Sequence, residues 1–114
     1  VNDFVVAINS GDKIKGLRAV SQAKENSVDM KIYLKLILAK LRYVLILKNA
    51  KEMENQIMKE VSEEDFVFLK HTAESKDSKI NSTTLLEMLN VYDLLGKSYI
   101  EELPLELAVM KIVG

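Results

Sequence analysis

The residues best equipped for chemistry are few and scattered. His71 is the single histidine and cysteine is absent, which removes thiol nucleophiles, thiolate zinc sites, iron–sulfur clusters and disulfides at once. A metal site built on His71 needs carboxylates about one helical turn away, and Glu74 alone stands at such a spacing. Glu101 and Glu102 are neighbours in sequence, so on a helix they point apart instead of sharing a proton. Gly11, Gly16, Gly96 and Gly114 are too dispersed to cradle a phosphate. Gly96-Lys97-Ser98 has the closing letters of such a loop but lacks the upstream glycine and the preceding strand. No Gly-x-Ser-x-Gly elbow occurs. These patterns predict no catalytic residue, no metal, no cofactor and a chain that is not itself an enzyme.

Binding chemistry has one concentrated candidate. Lys31, Lys35 and Arg42 fall within about 40° of one another at roughly 100° per residue, making a basic stripe on one helix. Such a stripe is either a solvated face or a set of phosphate contacts, the latter implying a small helical nucleic-acid-binding or regulatory adaptor domain. No aromatic side chains or glycine-rich turn accompany the three cations, so the solvated face is the preferred reading and direct nucleic-acid contact is not expected. Charge is otherwise nearly balanced at net −1, but unevenly placed. Residues 1–57 carry ten Lys/Arg against six Asp/Glu, and residues 58–114 carry six against eleven. A front-basic, back-acidic chain suits contact with another protein, or head to tail with a copy of itself.

The elements that position these residues are helices, because apolar residues recur at helical spacing and no stretch alternates as a strand. A first helix covers Asp3 to Asn9 with Phe4, Ala7 and Ile8 inward; Gly11 supplies a left-handed cap and Asp12 can start the next helix. The second, about Lys13 to Glu25, arranges Ile14, Leu17 and Val20 on an amphipathic cylinder and closes at Asn26-Ser27. The third, Met30 to Lys48 with Asp29 as its N-cap, has fourteen apolar and five basic residues among nineteen. It should therefore run through the centre of the domain, surrounded by the others. Lys40 lies opposite the basic stripe and must snorkel or find a carboxylate.

Met53, Ile57 and Val61 permit a short helix or a pinned loop. Ser62-Glu63-Glu64-Asp65 begins a helix to Glu74, with Phe66, Leu69 and Ala73 inward. After a polar loop, Asn81 or Ser82 caps a helix with Leu85, Leu86, Met88, Leu89, Tyr92 and Leu95 at core spacing, with Ile80 as an apolar staple at its start. A last helix starts at Pro104. From Leu105 to Val113 only Glu106 and Lys111 are polar, and they sit about 140° apart, leaving two apolar arcs. One arc can pack at home; the other needs a second cover, which makes Leu105, Leu107, Val109 and Met110 the candidate subunit contacts.

At 114 residues, 48% hydrophobic and 29% charged, with four glycines and one proline, the expected fold is one all-α domain over residues 1–114, a bundle of five to six helices. Such a domain needs neither disulfide nor metal for stability, and no apolar run approaches the roughly 18 residues of a membrane span. The absence of cysteine fits a cytoplasmic location. A start on Val1-Asn2-Asp3 has neither the basic region of a signal peptide nor an initiating methionine, so a fragment of a longer chain is expected.

One resemblance covers nearly the whole chain. The opening Asp3 to Gly11, the run Leu36-Ile37-Leu38-Ala39-Lys40-Leu41-Arg42-Tyr43-Val44-Leu45-Ile46-Leu47-Lys48, the acidic start Ser62 to Asp65 and the leucine-rich Leu85 to Leu95 carry it. So, most specifically, does the closing Leu103-Pro104-Leu105-Glu106-Leu107-Ala108. Together they resemble the helical third domain of the bacterial DNA polymerase III gamma/tau subunit. Where members of that family often carry a tryptophan-containing stretch, this chain reads Gly96-Lys97-Ser98-Tyr99-Ile100. The resemblance implies the collar of a clamp loader, whose domains pack side by side with the delta and delta-prime subunits above the AAA+ modules that load the sliding clamp in DNA replication. It implies an oligomerisation domain, partnered by copies of itself, delta and delta-prime, that binds no nucleotide of its own.

Overall fold

The computed structural model describes residues 1–114 as α1 (Asn2–Ser10), α2 (Lys13–Glu25), α3 (Met30–Asn49), a 3-10 turn (Lys51–Met53), α4 (Glu54–Glu60), α5 (Glu63–Ala73), α6 (Ser82–Leu95) and α7 (Leu103–Val113), with no strand. Short polar side chains set most of the starts by satisfying backbone amides that the first turn leaves free. Asp12 accepts from the Lys15 amide at 3.0 Å. Asp29 accepts from both Lys31 and Ile32, at 2.8 and 3.1 Å. Ser62 accepts from Asp65 at 3.1 Å, and three acids follow in the first turn of α5, where the helix dipole favours them. Asn81 and Thr84 exchange bonds in a capping box, with Thr84 Oγ1 also donating to the Lys79 carbonyl at 2.8 Å. At the other end of α1, Gly11 adopts φ 74°, the left-handed cap that a residue with Cβ resists.

The helix count is seven, above the expected five to six, because Glu54–Glu60 after the 3-10 turn at Lys51–Met53 takes the helical one of the two alternatives, as the short α4. Ile57 is the one buried anchor of α4, and Lys70 on α5 holds Glu54 at 2.9 Å. Seven residues give α4 too little intrinsic helical stability to persist alone; the anchor and the ion pair hold it against α5.

α3 supplies the spine of the core. Leu34, Ile37, Leu41 and Val44 are fully buried and meet α1, α2, α5 and α6 around them. α7 closes the far side against α1, α2 and α6. Its approach depends on Gly16, where an added Cβ would stand 3.0 Å from a Val109 methyl and 3.7 Å from the Ala7 Cβ. Lys40 resolves its placement by pairing with Asp65 at 3.6 Å, hydrogen bonding to Asn2 and lying 5.5 Å from the Phe68 ring centroid. Lys48 donates to the Ile80 carbonyl at 2.6 Å and so ties the end of α3 to the loop before α6. The molecule measures 43 × 26 × 22 Å with a radius of gyration of 13.7 Å, close to the roughly 13 Å of a compact chain this long.

The inward face of α6 matches the predicted one in Met88, Leu95 and the half-buried Leu85, and departs from it in the rest. Thr84, Met88, Val91 and Leu95 are buried, while Leu86, Leu89 and Tyr92 are exposed. α6 is leucine-rich on both arcs, so periodicity alone does not choose between them. The capping box and the Lys48 bond before it fix the rotation that turns Thr84, with its hydroxyl satisfied, inward. Ile14 on α2 is likewise exposed.

Tyr33 gives the fold a pH dependence. It is buried against Phe4, with ring centroids 6.2 Å apart in an edge-on arrangement. Burial first, and the Asp3 charge second, push its hydroxyl pKa from 10.0 up to about 12. Folding therefore favours the neutral phenol. The linked stability is intact below about pH 10 and is lost as pH rises from there through about 12, by about 2–3 kcal/mol in total. Urea unfolding of the wild type and Tyr33→Phe across this range should show the variant lacking that part of the alkaline loss.

Candidate interaction surface

α7 divides into two apolar faces. Leu105, Ala108 and Val109 are buried against the bundle, whereas Leu103, Leu107 and Met110 point away from it. Leu107 is 54% exposed and Met110 41%. Two of the four predicted contact residues, Leu105 and Val109, are therefore corrected to core positions. They stand four apart on the arc that fits over Gly16 and against α6, so no part of either reaches solvent. Leu103 takes their place on the outward arc, one turn before Leu107. A shallow groove of about 240 Å³ runs beside this arc between α6 and α7, lined in part by Leu94, Leu107 and Ala108. Lys111 closes its edge by pairing with Glu87 at 3.2 Å.

A second uncovered face lies on α3. The expectation that other helices surround α3 fails along one stripe: Ile32 (56% exposed), Leu36 (48%) and Ala39 face outward, continuing into half-buried Tyr43 and Ile46. These five positions follow one another at intervals of four, three, four and three residues, the spacing of a seam that another helix can enter. The spacing was visible in the sequence, but the near-uniform apolarity of α3 concealed which of its stripes would stay open. Beside Leu36 lies a shallow hollow of about 260 Å³, lined mainly by apolar side chains that include Ala19, Ala23, Val28 and Tyr33.

The basic stripe flanks this seam. Lys31, Lys35 and Arg42 are all exposed, as a solvated face requires. The expectation that no aromatic side chains accompany these cations is corrected: Lys35 lies 5.9 Å from the Tyr92 ring centroid and Arg42 5.5 Å from that of Tyr43, contacts in which the ring face attracts the cation. Lys31 Nζ comes within 3.3 Å of where a Gly96 Cβ would stand. Its charge thus lies beside Gly96 at the negative end of the α6 dipole. None of the three forms an ion pair with a carboxylate. Acids gather at the other end of the chain, where Glu101 pairs with Lys24 at 2.8 Å while Glu102 and Glu106 have no ion-pair partner.

His71 is exposed near the end of α5, and nowhere do three side chains of metal-ligating type converge. No helix is long and apolar enough to cross a membrane. Comparison with protein-family models, curated proteins and solved structures finds no match.

Proposed function

We propose that this chain is an assembly domain, the part of a larger subunit that packs against its counterparts. In its fullest form this is the role its sequence resembles: the collar of the DNA polymerase III gamma/tau clamp-loader subunit, holding AAA+ subunits in a ring for sliding-clamp loading. The observation that carries the reading is the divided α7, whose inner arc closes the bundle while Leu103, Leu107 and Met110 lie uncovered. Burying such side chains is favourable by about 25 cal/mol per Å² of apolar surface, and nothing within the single chain provides that cover. The all-helical fold supports the reading without being specific to it. The engagement of Lys31, Lys35 and Arg42 with rings and a helix end favours protein contact over phosphate contact.

Sedimentation velocity tests the reading. The wild-type chain should shift to larger species as concentration rises, and Leu107→Asp, at an exposed position, should abolish the shift while leaving the helical circular dichroism unchanged. Co-elution with purified delta and delta-prime subunits tests the clamp-loader assignment. A wild-type chain that stays monomeric throughout and elutes apart from both subunits would overturn the proposal.

A further inference from the structure

The outward arc of α7 and the open stripe of α3 are both apolar, both spaced for helix packing, and opposite in the charges beside them. They belong to helices that do not pack on each other to any extent, α7 lying against α1, α2 and α6. From residue 30 to residue 50 there are five cations and no carboxylate; from 82 to 114 there are five acids and two lysines. We propose that the α7 arc of one copy seats on the α3 stripe of a second copy, head to tail, with Glu102 and Glu106 facing Lys35 and Arg42. This rests on the assembly reading and adds to it the acceptor surface and the occupant.

The alternatives within the same chain fit less well. Setting α3 on α3 brings cation against cation along two helices that carry no acid of their own, with only Asp3 beside Leu36 and Glu60 beside Tyr43 at the edges of the seam, and like charges across an interface disfavour association. Setting α7 on α7 opposes acid to acid and leaves the longer α3 stripe bare. Pairing α3 with α7 covers both faces in one contact and joins four side chains that lack ion-pair partners at home. Ala39 in the middle of the stripe allows a close helix approach, and the hollow beside Leu36 offers space for a side chain the size of Leu107 or Met110. Because the two faces are different and do not overlap, each copy that docks leaves one donor and one acceptor free. A contact of this type propagates until it closes into a ring or continues as a filament.

The test blocks each face separately in the full chain and then mixes the blocked chains. Leu36→Asp carries a dead acceptor and Leu107→Asp a dead donor, both at exposed positions where the fold should be retained, as circular dichroism and the melting temperature would verify. A carboxylate placed in the buried contact should weaken association by about 100-fold or more, so each variant alone should sediment as a monomer. An equimolar mixture should form a one-to-one dimer and nothing larger, because it holds one intact donor and one intact acceptor. Wild-type assembly with Leu36→Asp assembling equally well would overturn this pairing and leave the assembly reading standing. So would a mixture that stays monomeric. A wild type that never associates would overturn the pairing together with self-assembly.

Discussion

Replacing Phe4 by alanine should destabilise the chain by about 3–5 kcal/mol, the range for a large aromatic removed from a packed interior. Phe4 is fully buried, stands in the first turn of α1 and meets Tyr33 edge-on at 82°. The substitution removes that aromatic contact and opens a cavity where α1 meets α3, and close-packed neighbours relax into such a space only in part. A domain of this size typically has about 5–15 kcal/mol of stability in all, so the loss is at least about a fifth of the total. Urea unfolding followed by circular dichroism should show the midpoint falling with little change in slope. Phe4→Leu keeps the site apolar and most of its volume, and should lose clearly less. A loss below about 1 kcal/mol for Phe4→Ala would mean that α1 is not anchored in the core as described.

Helix starts were legible because their determinants are local. Asp12, Asp29 and Ser62 each bond an amide two or three residues ahead, an interaction that residue type and position announce without tertiary context. The all-helical class followed from periodicity in the same way. The facing of the helices was not local. α6 and α7 are apolar on more of their circumference than a small bundle can cover, and which arc turns inward depends on partners far away in sequence: Lys48 bonded to Ile80, Gly16 under Val109, Lys24 bridged to Glu101. Sequence periodicity places Leu105 and Val109 in the candidate contact set for this reason, and leaves Leu103 outside it. The α3 stripe shows the converse. Its spacing from Ile32 to Ile46 is plain in the sequence, yet a helix with fourteen apolar residues among nineteen offers several such series, and only the packed fold selects the one left open.

The two faces of α7 should separate cleanly in mutants. Leu105→Ala deletes fully buried methyl groups and should cost about 2–5 kcal/mol of folding stability. Leu107→Ala removes a side chain that is more than half exposed and should shift the unfolding midpoint of the dilute monomer by no more than about 0.5 kcal/mol. The order reverses for assembly. At concentrations where the wild type associates, Leu107→Ala should weaken association, while Leu105→Ala should leave the contact side chains in place and act only through the fraction of chain that stays folded. Measuring both variants by urea titration at low concentration, and by sedimentation at high concentration, separates folding from contact because one free energy scales with protein concentration and the other does not. Equal losses of folding stability in the two variants would mean that α7 is enclosed on all sides, and would remove the uncovered face from which assembly was inferred.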